Sequence, residues 1–386
     1  LMTNGIYWLW LATRPRCSAR FCGHLLERFG SPEAIWRAER QEFVDIPRLN
    51  KVKMDSLMEK DLTVAQHIEE TCRKQDIQIV TLADDMYPQL LREIPDPPLV
   101  LYVRGTLPDF TDRVSVSIVG TRKCTRYGKQ AAWHFAGNLA QRGVIIVSGM
   151  AIGIDGTANR AAIEAGGETV AVLGCGVDVC YPWQHKQLMD DIIQHGAVIS
   201  EYPPGTEPKG MHFPVRNRII TGLGKGTLIV EAPKKSGALI SADLALEQGR
   251  DVFAVPGDIN RPSSAGCNAR IRQGAAELVQ EPADILAQYQ LADSRIQRTL
   301  RPVKQASIQE MPREKERKKL LRRLEGSEEE RTVWCAVHDG QETVDAIVEK
   351  TGLPAASVLT ALTMLEVGQY VAATESGYQA AADVEL

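Results

Sequence analysis

"VIIVSGMAIGIDGTANRAAIEAGGETVAVLG" (residues 144–174) is the stretch that decides the fold. It opens with an unbroken apolar run, passes through a glycine-rich turn, and continues into a helix expected to start near Asp155. A second apolar run, "TVAVLG" at 169–174, closes the unit. A strand that is apolar at every position, rather than at alternate ones, is buried on both faces. A strand, a helix and a further strand of the same kind form the repeating unit of a helix-covered parallel sheet. The pattern continues outward over residues 79–290. Further runs are "PLVLYV" (98–103), "VSVSIVG" (114–120), "AVISEY" (197–202), "TLIVEA" (227–232) and "DVFAVPG" (251–257). Helical stretches such as "YGKQAAWHFAGNLAQRG" and "GALISADLALEQGR" alternate with them. An α/β protein with a parallel sheet covered on both faces is predicted.

The flanks read differently. Residues 1–78 carry apolar residues at helical spacing, and "FGSPEAIW" marks a helix start with Ser31 at the N-cap, Pro32 at N1 and Glu33 behind it. Residues 291–326 lose the apolar period and include "REKERKKLLRR", which predicts a charged linker, either solvated chain or an exposed helix, whose basic run could also add weak phosphate affinity. Residues 327–386 read as three helices and a closing hairpin, the shape of a winged helix. "TVDAIVEKTGLPAASVLTALTMLE" supplies its helix-turn-helix. The second helix of that motif has no Lys or Arg to reach bases or phosphates, so a protein-contact role is expected rather than sequence-specific DNA reading.

At 386 residues the chain exceeds one ordinary core, and several domains are expected. A charged fraction of 24% with 44% apolar residues places it among soluble globular proteins rather than disordered ones. The net charge of −4 argues against a uniformly basic coat on nucleic acid but permits a local basic groove. The eight cysteines contain no C-x-x-C pair and no zinc-finger spacing, so reduced, mostly buried thiols are expected and no metal. "IYWLWLA" (6–12) is too short to span a bilayer and lacks the flanks of a signal peptide. A cytoplasmic protein with no membrane contact is the expectation.

In an open parallel sheet, ligands bind beyond the carboxyl ends of the strands. The loops there are "GTRKCTRYG", "SGMAIGIDGTAN", "GCGVDVCYP", "EYPPGTEPKGMHFPVRNRI", "EAPKKSGALISA" and "GDINRPSSAGCN". Nearly all combine Gly, Ser or Thr with a cation and lead into a helix N-terminus, the ingredients of phosphate binding. Gly120 permits backbone approach and Arg122 is expected to point outward; Ser236 and Gly237 precede a helix. Neither G-x-G-x-x-G nor a Walker A loop is present, since "GLGKGT" (222–227) has Ile219 for its first glycine and Gly226 after the lysine. No Ser-His-Asp group, H-E-x-x-H or paired carboxylates are found, and no cofactor is expected. Asp155, Asp178, Glu201 and Glu231 read equally well as helix caps or partners of arginines. Cations spread over several loops (Arg122, Lys209, Arg216, Arg218) suit a run of phosphates, and Phe213 and Tyr202 could stack on unpaired bases. Single-stranded nucleic acid is the expected ligand.

The five blocks "SIVGTRKCTRYG", "SGMAIGIDGTANRAAIEAGGETVAVLGCGVDVCYP", "ISEYPPGTEPKGMHFPVRNRIITGL", "IVEAPKKSGALISADLALEQGRDVFAVPGDI" and "SAGCNARIRQGA" together resemble the bacterial DNA-processing protein family DprA, also called Smf. The resemblance implies an extended Rossmann-like core at 79–290. Around it the family carries an N-terminal sterile-alpha-motif-like helical domain, here 1–78, and a C-terminal winged helix, here 327–386. It implies a role without enzymatic activity: binding and protecting incoming single-stranded DNA in natural transformation. It also implies loading of the recombinase RecA onto DNA covered by single-strand-binding protein, action as a homodimer, and no cofactor. By the same resemblance Arg122 of "GTR" contacts the DNA backbone, and Ser148 and Gly149 lie in the second phosphate-facing loop. Phe213, Arg216, Asn217 and Arg218 match "FPxRNR". Lys209 occupies the place of a basic residue whose spacing before that Phe varies in the family. Two other readings compete. A phosphoribohydrolase acting on nucleoside monophosphates shares the core, but its P-G-G-x-G-T-x-x-E loop is missing. A winged-helix transcription regulator would need a charged recognition helix.

Overall fold

The structure, a computed structural model, describes residues 5–290 and, toward the C-terminus, 327–339, 341, 343–368, 370–374 and 377–380. The expected linker at 291–326 lies outside the described residues. The chain forms two compact units, Leu1–Val303 and Lys304–Leu386.

The first unit begins with five helices: α1 (Gly5–Ala12), α2 (Ala19–Phe29), α3 (Pro32–Arg37), α4 (Lys51–Met58) and α5 (Thr63–Lys74). Ser18 and Ser31 cap α2 and α3 through their hydroxyls, which accept from the N–H of Phe21 and Ala34, and Pro32 takes N1 of α3 as "SPE" predicts. The apolar run 6–12 is a buried helix, with Trp8, Leu9, Trp10 and Leu11 all inside. These residues share one core with Tyr102 of the sheet and with Leu188, Met189 and Ile192 behind it. Near residue 78 the structural pattern changes while the packing continues, and the helices cap one end of the sheet.

Nine strands make that sheet: β1 (Gln78–Thr81), β2 (Val100–Gly105), β3 (Ser115–Val119), β4 (Ile145–Ser148), β5 (Thr169–Val172), β6 (Gly196–Ser200), β7 (Gly226–Ile229), β8 (Asp251–Ala254) and β9 (Glu277–Leu278). They lie in the order β1-β2-β6-β5-β4-β3-β7-β8-β9. α6 (Gln89–Arg92) sits between β1 and β2. The crossover helices are α7 (Arg126–Gln141), α8 (Ile154–Glu164), α9 (Lys186–His195), α10 (His212–Leu223), α11 (Gly237–Glu247) and α12 (Ala265–Arg272), and α13 (Pro282–Gln290) closes the unit. From β6 to β9 all pairings are parallel, with Ser117 opposite both Val147 of β4 and Thr227 of β7. All seven expected strands are present. Strand β2 departs from the expectation because it runs antiparallel to β6 and to β1. Residues 106–114, without a helix, join the end of β2 to the start of β3, so β3 sets out from the sheet edge at which β2 ends and β2 runs against the parallel set. Its apolar run looked like a parallel strand because Val100, Leu101, Tyr102 and Val103 are all buried.

The chain steps outward from β3 through β4 and β5 to β6, then returns to the other side of β3 with β7. The order therefore reverses between β3 and β7. That reversal is the switch point at which Rossmann-like sheets open a crevice at their carboxyl edge.

The second unit has α14 (Glu328–His338), α15 (Val344–Thr351) and α16 (Ala355–Val367), followed by the antiparallel hairpin β10 (Val371–Thr374) and β11 (Gly377–Ala380). This is the expected set of three helices and a hairpin. α16 buries Val358, Ala361, Leu362 and Leu365, and its outward face shows Leu359, Met364 and Val367 with no cation.

Candidate nucleic-acid interface

The carboxyl edge of the sheet is built by tying loops to one another. The β3 loop is held across the switch point by Glu231 at the end of β7. Its carboxylate accepts from the Thr125 N–H (2.8 Å) and hydroxyl (2.9 Å), and its carbonyl accepts from the Thr121 N–H (2.8 Å). Thr125 in turn caps α7, accepting from Gly128 N–H. The protein's own carboxylate thus lies beside the start of α7, the end of a helix that favours an anion. Asp178 acts similarly elsewhere, accepting from the Gly205 N–H.

Beneath the β3 and β4 loops lies a buried charge pair. Asp155, in the first turn of α8, accepts from the backbone N–H groups of Gly120 and Gly149 and faces Arg216 from α10. Arg216 is 4% exposed and donates to the Val172 carbonyl of β5 at 2.7 Å. Burial pushes the Asp155 carboxyl up to about 6, although Arg216 pulls the other way. Burial also lowers the Arg216 pKa, partly offset by Asp155. Gly149 is required here, since a Cβ would strike the Arg216 guanidinium and the Asp155 carboxylate. Gly153 is required as well, with a φ of +91° and the Thr121 and Arg122 carbonyls where its Cβ would be.

The two arginines of "FPVRNR" are placed otherwise than the sequence suggested. α10 starts at His212, so both lie beyond its first turn and point inward. Arg218 makes a bidentate bond to Glu201 (2.9 and 2.7 Å) and reaches Asp96 at 3.4 Å. Its charge is matched by carboxylates and its exposure is only 8%. Asn217 between them is partly exposed. Ser148 also differs from expectation: it is fully buried and its hydroxyl donates to the Ile118 carbonyl at 2.7 Å, which leaves only the backbone of its loop to face outward.

The outer surface of the edge carries different groups. Arg122 is exposed with its guanidinium 5.1 Å from the Phe213 ring centre, and the Tyr181 ring stands 5.4 Å from Phe213 on the other loop. Tyr202 stacks on His212 at 4.1 Å, and His212 is held by the Gly174 carbonyl. Lys209 is exposed just before α10. Ser236 caps α11, accepting from the Ala238 N–H, and Gly237 opens that helix in free space. Lys123, Lys234 and Lys235 are exposed on the same loops and complete the set of cations. Among the described residues Arg122, Lys123, Lys209, Lys234 and Lys235 have no carboxylate within ion-pair distance. These lysines were legible as basic letters within "TRKC" and "PKKSG"; their lack of partners was not. A cavity of about 640 Å³ lies at the opposite, amino-terminal ends of β3 and β7, lined by both acids (Asp85, Asp109, Asp112) and bases (Arg92, Lys225). No cluster of metal-ligating side chains occurs among the described residues, and no described helix is long and apolar enough to cross a membrane.

Fold and edge together define an α/β protein of the Rossmann-like class whose switch point carries unpaired cations beside aromatic rings. The chain belongs to the DNA recombination-mediator protein A family, DprA, whose model matches residues 78–290; a DprA winged-helix model matches residues 311–377. It is 38% identical over 306 residues to protein Smf of Escherichia coli, covering 78% of this chain and 76% of the relative. It is 39% identical to the DNA processing protein DprA of Bacillus subtilis over 62% of this chain and 84% of the relative. The X-ray structure of DprA from Streptococcus pneumoniae superposes with a TM-score of 0.63 at 36% identity, covering 74% of this chain and 98% of that one. DprA of Helicobacter pylori, whose structure describes a single-stranded DNA binding mode, superposes with a TM-score of 0.50 at 31% identity over 56% of this chain and 97% of that one. The chain is thus a DNA-processing recombination mediator and not an enzyme, which removes the phosphoribohydrolase and transcription-regulator readings.

Proposed function

We propose that this chain binds single-stranded DNA along the carboxyl edge of its sheet and, from there, loads a RecA-type recombinase onto DNA covered by single-strand-binding protein. The observation that carries the proposal is the set of five exposed, unpaired cations, Arg122, Lys123, Lys209, Lys234 and Lys235, on loops spanning β6 to β7. Four inter-strand spacings make that span roughly 19 Å, the scale of a few nucleotides rather than of one phosphate. Phe213 and Tyr181 supply ring surface, which favours unpaired bases over a closed duplex. Asn217, Ser236 and Gly237 offer backbone and small polar groups between the cations, while the N–H groups of Gly120 and Gly149 are held by Asp155 and shape the loops beneath. Arg216 shapes the floor through Asp155, and Arg218 anchors α10 to Glu201, so neither is a primary phosphate contact in this scheme.

The boundaries 1–78, 79–290 and 327–386 are proposed as helical cap, DNA-binding core and winged helix. The outward face of α16, apolar and without cations, favours a protein-contact role for the last. Action as a homodimer in the cytoplasm completes the proposal. The decisive experiment is RecA filament assembly on single strands pre-covered with single-strand-binding protein. The wild-type chain should relieve the block and Arg122→Ala should relieve it poorly; equal relief by both, or none by the wild type, refutes the scheme.

A further inference from the structure

Trp183 is the most exposed tryptophan among the described residues, at 76%, whereas Trp8 and Trp10 are buried in the helical cap. Most of a tryptophan's large surface is normally removed from water, so an indole left open on a rigid loop is costly unless something covers it. Its place is well defined on both sides. Two residues before it, Tyr181 packs its ring 5.4 Å from Phe213. Two residues after it, His185 shares a hydrogen bond of 2.9 Å with the Met150 carbonyl of the β4 loop, and the His185 N–H donates to Pro182. Two residues span at most about 7 Å, so the Trp183 backbone lies within that reach of the backbones of Tyr181 and His185, both tied to this edge of the sheet. No aromatic or cationic group among the described residues covers its ring. Lys186, which follows it, is held by Asp190. What Trp183 presents at this edge is therefore a π-face rather than a charge.

We infer that Trp183 is a base-stacking platform for an unpaired nucleobase, extending the Phe213–Tyr181 ring surface along the β5 loop. The inference rests on the single-strand reading above and adds a subsite to it. An exposed ring on the same sheet edge as unpaired cations suits a ligand that alternates phosphates with flat apolar faces, and single-stranded nucleic acid is such a ligand. An isolated phosphate or sugar would gain nothing from it.

The test is fluorescence anisotropy of the full chain with a labelled oligo-dT and with an equally long oligomer of abasic units. Wild type, Trp183→Ala, Trp183→Phe and Arg122→Ala are compared. Stacking on one base is worth about 1–3 kcal/mol, so Trp183→Ala should weaken oligo-dT binding about fivefold or more. Trp183→Phe should recover most of that loss, and the abasic oligomer should bind all three Trp183 forms equally. If Arg122→Ala weakens oligo-dT binding but Trp183→Ala does not, the groove stands and the stacking platform is refuted. Equal losses on the abasic oligomer also refute it, by showing a role in shape rather than stacking. If neither variant loses affinity, the groove itself is refuted.

Discussion

Replacing Arg122 with alanine should weaken single-strand binding without unfolding the protein, and both halves of that expectation follow from its surroundings. Arg122 is exposed, has no carboxylate within ion-pair distance among the described residues, and has its guanidinium 5.1 Å from the Phe213 ring centre. A surface substitution of this kind should change stability by no more than about 0.5 kcal/mol. On the binding side, one charge-assisted hydrogen bond to a phosphate at an exposed position is worth about 1.5 kcal/mol, or roughly tenfold in Kd. The salt dependence is more diagnostic. Five cations facing single-stranded phosphates give a log–log slope of about −3.5, and removing one gives about −2.8. A threefold rise in salt should then weaken the wild type about 50-fold and the variant about 20-fold. Fluorescence anisotropy with oligo-dT at several salt concentrations, beside thermal unfolding, measures all of these. An unchanged slope refutes the placement of Arg122 on the phosphates, and a large fall in Tm refutes its reading as a free surface cation.

Arg218→Gln should do the opposite. Breaking the bidentate bond between buried Arg218 and partly buried Glu201 should destabilise the fold by about 3 kcal/mol in thermal or denaturant unfolding while leaving the salt slope of binding intact. A flattened slope with unchanged stability would make Arg218 a phosphate contact after all. Asp155 sets a pH dependence. Its folded-state pKa of about 6 lies above the ordinary carboxyl value near 3.9, so the folded state holds a proton that the unfolded chain releases earlier. The stabilisation is therefore complete below about pH 4 and is lost as pH rises through about 6, amounting to roughly 3 kcal/mol. Relative to Asp155→Asn, the wild type should lose Tm across that interval; a constant difference would show that Asp155 does not titrate there. Removing residues 327–386, which keeps the basic run of the linker, should leave oligo-dT affinity unchanged, because α16 shows no cation on its outward face. Loss of binding in the truncated chain would return the winged helix to the DNA site.

Much of the fold was legible because strand burial is written locally. The unbroken apolar runs located seven strands, and "SPE" located the start of α3. What was not legible depends on partners far away in the chain. β1 is a four-residue edge strand with only its last two residues, Val80 and Thr81, buried, and β9 has two exposed residues, so neither has a pattern to read. The direction of β2 is set by a missing crossover rather than by its composition. In the site, Arg122, Phe213 and the glycine loops could be picked out by type and position. Arg216 and Arg218 could not be told from surface cations, because their partners Asp155, Glu201 and Asp96 lie between 17 and 122 residues away in the chain. Glu231 is hidden in the same way: it closes the start of α7 from the next strand over. Trp183 stood unremarked because exposure cannot be read from a single letter.

The most direct test of single-strand binding at this edge is to titrate the chain with labelled oligo-dT and with a duplex of the same length at several salt concentrations. The structure predicts much tighter binding to the single strand, with a log–log salt slope near −3.5 set by five phosphate contacts. A preference for duplex, or single-strand binding that ignores salt, would contradict it.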